Sequence, residues 1–267
     1  MGKLDGKVAF VTGAVRGQGL AHCLTLAREG ADIAALDICR NLDYPHYSLG
    51  TREQLDEVVA KIIRLGRRAI GLVADVREEA DIKAAVERTI AEFDHIDILV
   101  NNAAVAGMLP FWKISEAQWD AVLDTNLKGC WLTAKYVAPH MIAQRSGKMI
   151  NIASVAGAKG SANMAHYAAA KHGLIGLTRT MAIELAPYHI NVNAILPGTV
   201  ASPMLDGLAE ELGITPEDIQ TTFLPSHLFQ EVIQPQDIAD AVLWLVSDQA
   251  RFLTGAAIPV DGGWLTK

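Results

Sequence analysis

Lys7-Val8-Ala9-Phe10-Val11-Thr12-Gly13-Ala14-Val15-Arg16-Gly17-Gln18-Gly19 reads as a buried strand, a glycine turn and the start of a helix in one run. The first five residues are apolar enough to be covered on both faces, as strands of parallel sheets are. The glycines fall as Gly-x-x-x-Gly-x-Gly rather than the commoner Gly-x-Gly-x-x-Gly. Either spacing allows a tight turn, close backbone approach and a pyrophosphate resting on a helix N-terminus. A plain glycine-rich turn is the competing reading. The strand before it and the helix after it favour the phosphate cradle.

Outward from this run the same rhythm repeats. A helix is predicted from Gly17 to Glu29 and closed by Gly30, followed by a strand over Asp32 to Leu36. A helix over Thr51 to Leu65 stops at Gly66, with a strand over Ala69 to Val73. Glu78 to Phe93 reads as a helix and Ile96 to Val100 as a strand. Ser115 and Gln118 form a capping box opening another helix. Further strands are expected at Lys148 to Ile152, Asn191 to Leu196 and Ala257 to Val260. Such alternation predicts a single-domain α/β fold: a Rossmann-type, doubly wound parallel sheet of about seven strands with helices on both faces. Two segments break the rhythm. Arg40 to Gly50 is a polar-aromatic loop, and Thr199 to Gln234 is long, poorly periodic and carries Pro203, Pro216 and Pro225. The second follows a strand's carboxyl end, where ligands bind in such sheets, and is read as a substrate lid.

The chain has 267 residues, 51% of them hydrophobic and 20% charged, which suits one large core-forming domain. A net charge of -7 without a basic run argues against a nucleic-acid partner. No apolar stretch approaches the roughly 20 residues of a membrane span. Met1 to Asp5 lacks a signal-peptide layout. Cys23, Cys39 and Cys130 are too scattered for a disulfide framework or a metal knuckle, so a reducing cytoplasm is expected. The eight histidines contain no His-Glu-x-x-His pattern, and a catalytic metal is not expected.

Asp37 closes the second strand. Its carboxylate can accept hydrogen bonds from an adenosine ribose and would repel a 2′-phosphate, which favours NAD over NADP. Arg16 and Arg40 argue the other way, but the repulsion at Asp37 acts at the ribose itself. Asp75-Val76 follows the third strand and is placed for the adenine edge. Asn101-Asn102-Ala103-Ala104 follows the fourth and lines the expected cleft. Tyr167-Ala-Ala-Ala-Lys171 sets a phenol and an ammonium on one helix face. A lysine so placed is expected to lower the tyrosine pKa and let it take a proton from an alcohol. Ser154 ends the fifth strand, where its hydroxyl can bond the substrate oxygen opposite the tyrosine. Asn126 lies between two helical segments.

Together these stretches, with Pro197-Gly198-Thr199 and the terminal Pro259-Val260-Asp261-Gly262-Gly263, resemble the short-chain dehydrogenase/reductases along nearly the whole chain. The resemblance implies that Tyr167 is the general acid/base and that Ser154 orients the substrate oxygen. It also implies that Lys171 lowers the tyrosine pKa and binds the nicotinamide ribose, while Asn126 holds a water of the proton relay. It implies NAD contacts through Gly13, Arg16, Gly17, Gln18, Gly19, Asp37, Ile38, Asp75, Val76, Asn102, Ala103, Ala104, Tyr167, Lys171, Pro197, Gly198, Thr199 and Val200. Ala104 departs from the usual glycine of that motif. The glycine loop and His166 to Gly173 further resemble the carveol-dehydrogenase and mycofactocin-associated branch, which implies a cyclic, apolar secondary alcohol as substrate. The resemblance also implies a homotetramer. Met108, Leu109, Phe111, Trp112, Met204, Leu205, Leu208, Phe223, Leu224 and Phe229 are candidates for the substrate pocket. Competing readings are a steroid, sugar-derived alcohol or 3-oxoacyl thioester substrate, and a non-catalytic NAD-binding redox sensor. Asp206, Glu210, Glu211, Glu217 and Asp218 in the lid disfavour docking of an acidic carrier protein.

Overall fold

A computed structural model describes residues 2–267. Seven parallel strands run in the order β3-β2-β1-β4-β5-β6-β7. They are β1 (Val8–Thr12), β2 (Asp32–Asp37), β3 (Ala69–Val73), β4 (Ile98–Asn101), β5 (Gly147–Ile152), β6 (Ile190–Pro197) and β7 (Ala257–Val260). The helices are α1 (Gly17–Arg28), α2 (Arg52–Arg64), α3 (Glu79–Phe93), α4 (Glu116–Leu123), α5 (Gly129–Gln144), α6 (Ala165–Leu185), α7 (Pro203–Leu212), α8 (Pro216–Phe223) and α9 (Pro235–Val246). The expected strands and helices between the first strand and β6 are all present, with ends moved by a residue or two.

Period-two alternation splits the sheet into two cores. Ala9, Val11, Ile33, Ala35, Ile98 and Val100 face α1, α2 and α9. Val8, Phe10, Ala34, Leu36, Leu99 and Met149 face α3, α5 and α6. Strand order reverses between β1 and β4, so the connections leave to opposite sides there and a crevice opens at the carboxyl ends.

Three segments differ from expectation. Residues 199–234 are ordered into α7 and α8. Pro203 and Pro216 sit at the first helical turn after the caps Ser202 and Thr215, where a missing N–H costs nothing. In a segment that looks poorly periodic, these prolines are helix starters. Asp124–Lys128 forms a π-helical turn joining α4 to α5. Residues 40–50 are irregular as expected, yet Tyr44 and Tyr47 within them are buried. This loop is a strap folded onto the body, not a surface insertion.

Candidate active site

The crevice floor is built by β1, β4 and the turn before α1. Thr12 Oγ1 accepts from the backbone N–H groups of Asn102 and Ala103, both at 3.0 Å. Asn102 Nδ2 donates to the carbonyls of Thr12 and Gly13 at 2.9 and 3.0 Å. These bonds clamp the ends of the two paired strands whose connections diverge. Gly13 has φ 64°, and a Cβ there would stand 2.8 Å from Ala103 Cα. A Cβ on Gly19 would overlap the Gly13 carbonyl. No side chain caps α1. The glycines therefore leave a bare helix N-terminus over a shallow cradle, which fits a pyrophosphate.

At the far end Asp37 is buried, with its oxygens held by the N–H groups of Val15 (3.4 Å) and Cys39 (3.3 Å). Burial pushes this carboxyl above its usual range, while those N–H groups and Arg16 pull it back. A buried acceptor lining a cavity suits a donor such as a ribose hydroxyl. Arg40, the first candidate for a 2′-phosphate, is engaged elsewhere: its Nη2 donates to Asp75 at 2.9 Å. Arg77 also grips Asp75, Nε to Oδ1 at 2.9 Å and Nη2 to Oδ2 at 2.7 Å. Burial alone would raise Asp75, but Arg77 and then Arg40 hold it below the ordinary carboxylate range. The Asp75 carboxylate expected at an adenine edge is thus turned into an ion pair, although the residue still lines the cavity.

The chemical end lies across β5 and α6. Ser154, Tyr167 and Lys171 line one cavity of about 250 Å³ that also reaches Gly13 and Asp37. Lys171 is 1% exposed; its Nζ donates to the Ile152 carbonyl at 2.7 Å and lies 5.5 Å from the Tyr167 ring centroid. Burial lowers Lys171 to about 8. Burial also raises Tyr167 to about 12, with the Ser154 hydroxyl working in the other direction. The expected lowering of the tyrosine is therefore absent in the protein alone. Spacing brings the ammonium near, yet desolvation of the phenolate is the dominant influence on the phenol. Asn126 does not line this cavity. It is fully buried, and its amide accepts from the Val105 N–H and donates to the Val105 carbonyl, both at 2.8 Å. That pair fixes the chain following β4.

A family model described as Enoyl-(Acyl carrier protein) reductase matches residues 13–265. The (-)-trans-carveol dehydrogenase of Rhodococcus erythropolis is 39% identical over 100% of both chains. This protein is a short-chain dehydrogenase/reductase. Among solved structures, carveol dehydrogenase from Mycobacterium avium in complex with NAD superposes with a TM-score of 0.96 at 38% identity, covering 100% of each chain. A 3-oxoacyl-(acyl-carrier-protein) reductase of Thermotoga maritima is 36% identical over 98% of each chain.

In this dehydrogenase α7 and α8 line one wall of the cavity with Met204, Leu205, Leu208 and Phe223. Phe111, Trp112 and Phe229 were candidates for the same wall, but they are 70%, 71% and 74% exposed and lie off it. Met164 and Trp264 take part instead. His227 is a third residue the sequence did not reveal. Its Nε2 accepts from the Thr199 N–H at 3.2 Å, and its ring lies 5.3 Å from that of Trp264. A Cβ on Gly198 would stand 3.1 Å from the same Nε2. A lone histidine in an irregular stretch carries no periodic signal. Tyr44 and Tyr47 carry no periodic signal either; their aromatic rings in a short polar loop were the one available hint of burial.

Proposed function

We propose that this short-chain dehydrogenase uses NAD to interconvert a cyclic, apolar, terpenol-like secondary alcohol and its ketone, with Tyr167 as general acid/base. The observation that carries the reading is the meeting of Ser154, Tyr167 and Lys171 in a cavity with apolar walls that runs back to the glycine cradle and Asp37. The likeness to carveol dehydrogenases supports the terpenol class.

NAD would be held by the N-terminus of α1 at its pyrophosphate and by Asp37 at the adenosine ribose. Lys171 would hold the nicotinamide ribose, and Pro197 to Thr199 the carboxamide. When bound, it supplies the redox chemistry by taking up or releasing hydride at the alcohol carbon. The protein's own share is positioning and proton transfer. Ser154 holds the substrate oxygen by its hydroxyl. Tyr167 takes the alcohol proton during oxidation and returns it during reduction. Lys171 favours the phenolate electrostatically, and Asn126 keeps the loop bearing Val105 in register. The lid segment, residues 199–234, covers the substrate through its apolar wall.

Tyr167→Phe removes only the phenol oxygen. Turnover of a cyclic alcohol, followed at 340 nm, should vanish while NADH binding by fluorescence titration stays within about twofold. Near-native activity in that variant would sink the assignment. The same assay run with a panel of cyclic alcohols also separates a dehydrogenase from a silent NAD-binding sensor. A carrier-protein thioester fits less well, because the lid face bears Asp206, Glu210 and Glu211 and no lysine or arginine.

We infer a homotetramer in the cytoplasm. Trp131 on α5 and Ile183 on α6 are 45% and 76% exposed, which suits faces covered by another copy, and all three cysteines are free thiols, as in a reducing compartment. Light scattering of the purified protein reads the stoichiometry.

A further inference from the structure

The residue preceding Tyr167 is a fully buried histidine. Its Nδ1 accepts the backbone N–H of Tyr167 at 2.9 Å. That N–H lies in the first turn of α6, where helical N–H groups have no partner within the helix, and no side chain caps α6 from Met164. The imidazole of His166 is thus the cap of the turn that carries the phenol. Nδ1 accepts, so the ring proton of the neutral imidazole must sit on Nε2. Tyr44 Oη lies 3.1 Å from Nε2 and is therefore the acceptor. Tyr44 comes from the strap, 122 positions away in sequence, and is buried with Val105, Val122 and Ala170 against Tyr167. It packs on Gly107, where any Cβ would overlap its hydroxyl. The strap that delivers it is fastened on both sides: Tyr47 Oη accepts from the Ala106 N–H at 3.1 Å, and Glu211 of α7 accepts from the His46 N–H at 2.9 Å.

We propose that Tyr44 is a positioning residue for Tyr167, acting through His166: its hydroxyl fixes the imidazole so that Nδ1 holds the first turn of α6 and, with it, the phenol. This rests on the reading of Tyr167 as the acid/base. Without the Tyr44 oxygen, the buried Nε2–H has no acceptor, and the ring regains a bond only by turning or by moving its proton. Either change releases the Tyr167 N–H. Small displacements of a reacting group cost rate rather than substrate affinity.

The test is a cycle of Tyr44→Phe, His166→Ala and the double variant, measured beside Tyr167→Phe with NAD and a cyclic alcohol. Tyr44→Phe should lower kcat about tenfold, with KM for the alcohol and NADH affinity changed by less than about twofold. In the His166→Ala background the Tyr44 change should make no further difference to kcat, since the two act as one chain. A kcat within twofold of wild type, a loss seen only in KM or NADH affinity, or additive effects would each overturn the proposal while leaving Tyr167 in place. Turnover by Tyr167→Phe would overturn both. Nitrogen NMR of His166 in the unmodified enzyme gives a reading independent of folding of the variants: a proton on Nε2 supports the chain, and a proton on Nδ1 overturns it.

Discussion

Lys171 holds an ammonium where water does not reach, with the Ile152 carbonyl as its hydrogen-bond acceptor. Its fall from 10.5 to about 8 corresponds to roughly 3 kcal/mol of unfavourable burial at neutral pH. Below pH 8 both the folded and unfolded chains carry this proton, and the folded state bears the full penalty. Between about 8 and 10.5 the folded state releases it first, so stability rises with pH through that window. Lys171→Met should therefore melt higher than wild type at pH 7 and lose activity. The gain should shrink by pH 10, as calorimetry at the two pH values will read. A constant difference across pH would contradict the buried charge. Here the limit of the sequence is plain. Tyr167 and Lys171 could be paired from their spacing, because helix geometry dictates which residues share a face, and Ser154 was read from its place at the end of β5. Their proton affinities were not, because those depend on how many walls close around them. Asp75 shows the same limit, since its capture by Arg77 and Arg40 joins a neighbour to a residue on another strand–helix connection.

Among the elements, those with regular periodicity were legible to within a residue or two, as the helix starting at Thr51 and the capping box at Ser115 illustrate. The lid was not. Its prolines mark helix starts rather than breaks, which becomes readable only when Ser202-Pro203 and Thr215-Pro216 are taken as cap and first-turn pairs. The strap was legible as a loop but not as a buried one. Strap and lid meet where the Tyr47 ring crosses α7 at Gly207, with no room for a Cβ. Gly207→Ala should push the two apart at a cost of about 1–3 kcal/mol. Leu205 and Leu208 on the same helix form the apolar wall. KM for the alcohol should therefore rise several-fold while kcat changes little. Unchanged melting and KM together would mean that the contact yields without consequence.

For the whole molecule, the strand order and the reversal between β1 and β4 place every proposed contact at one edge of one sheet. A ligand spanning that edge ties β1, β2 and β4 together and should stabilise the fold as a unit. At a hundred times its dissociation constant NAD should contribute roughly 2.7 kcal/mol. For a chain of this size that is about 5–10 °C in Tm. NADP at the same concentration should give less than half the shift, because Asp37 is buried where a 2′-phosphate would sit. Equal shifts in a melting assay would refute the preference. The clamp between Thr12 and Asn102 also has a consequence for how the protein is made. Its partners are 90 positions apart. A chain emerging from the ribosome displays the glycine turn early. β1 and β2 can pair, and β3 can join them. The other edge of β1 waits for β4, on the order of ten seconds at ordinary rates of synthesis. Until then nothing lies beneath Gly13, and the phosphate cradle has no floor. The residues that announce the dinucleotide site are among the first translated, yet the crevice they belong to is a late product of translation.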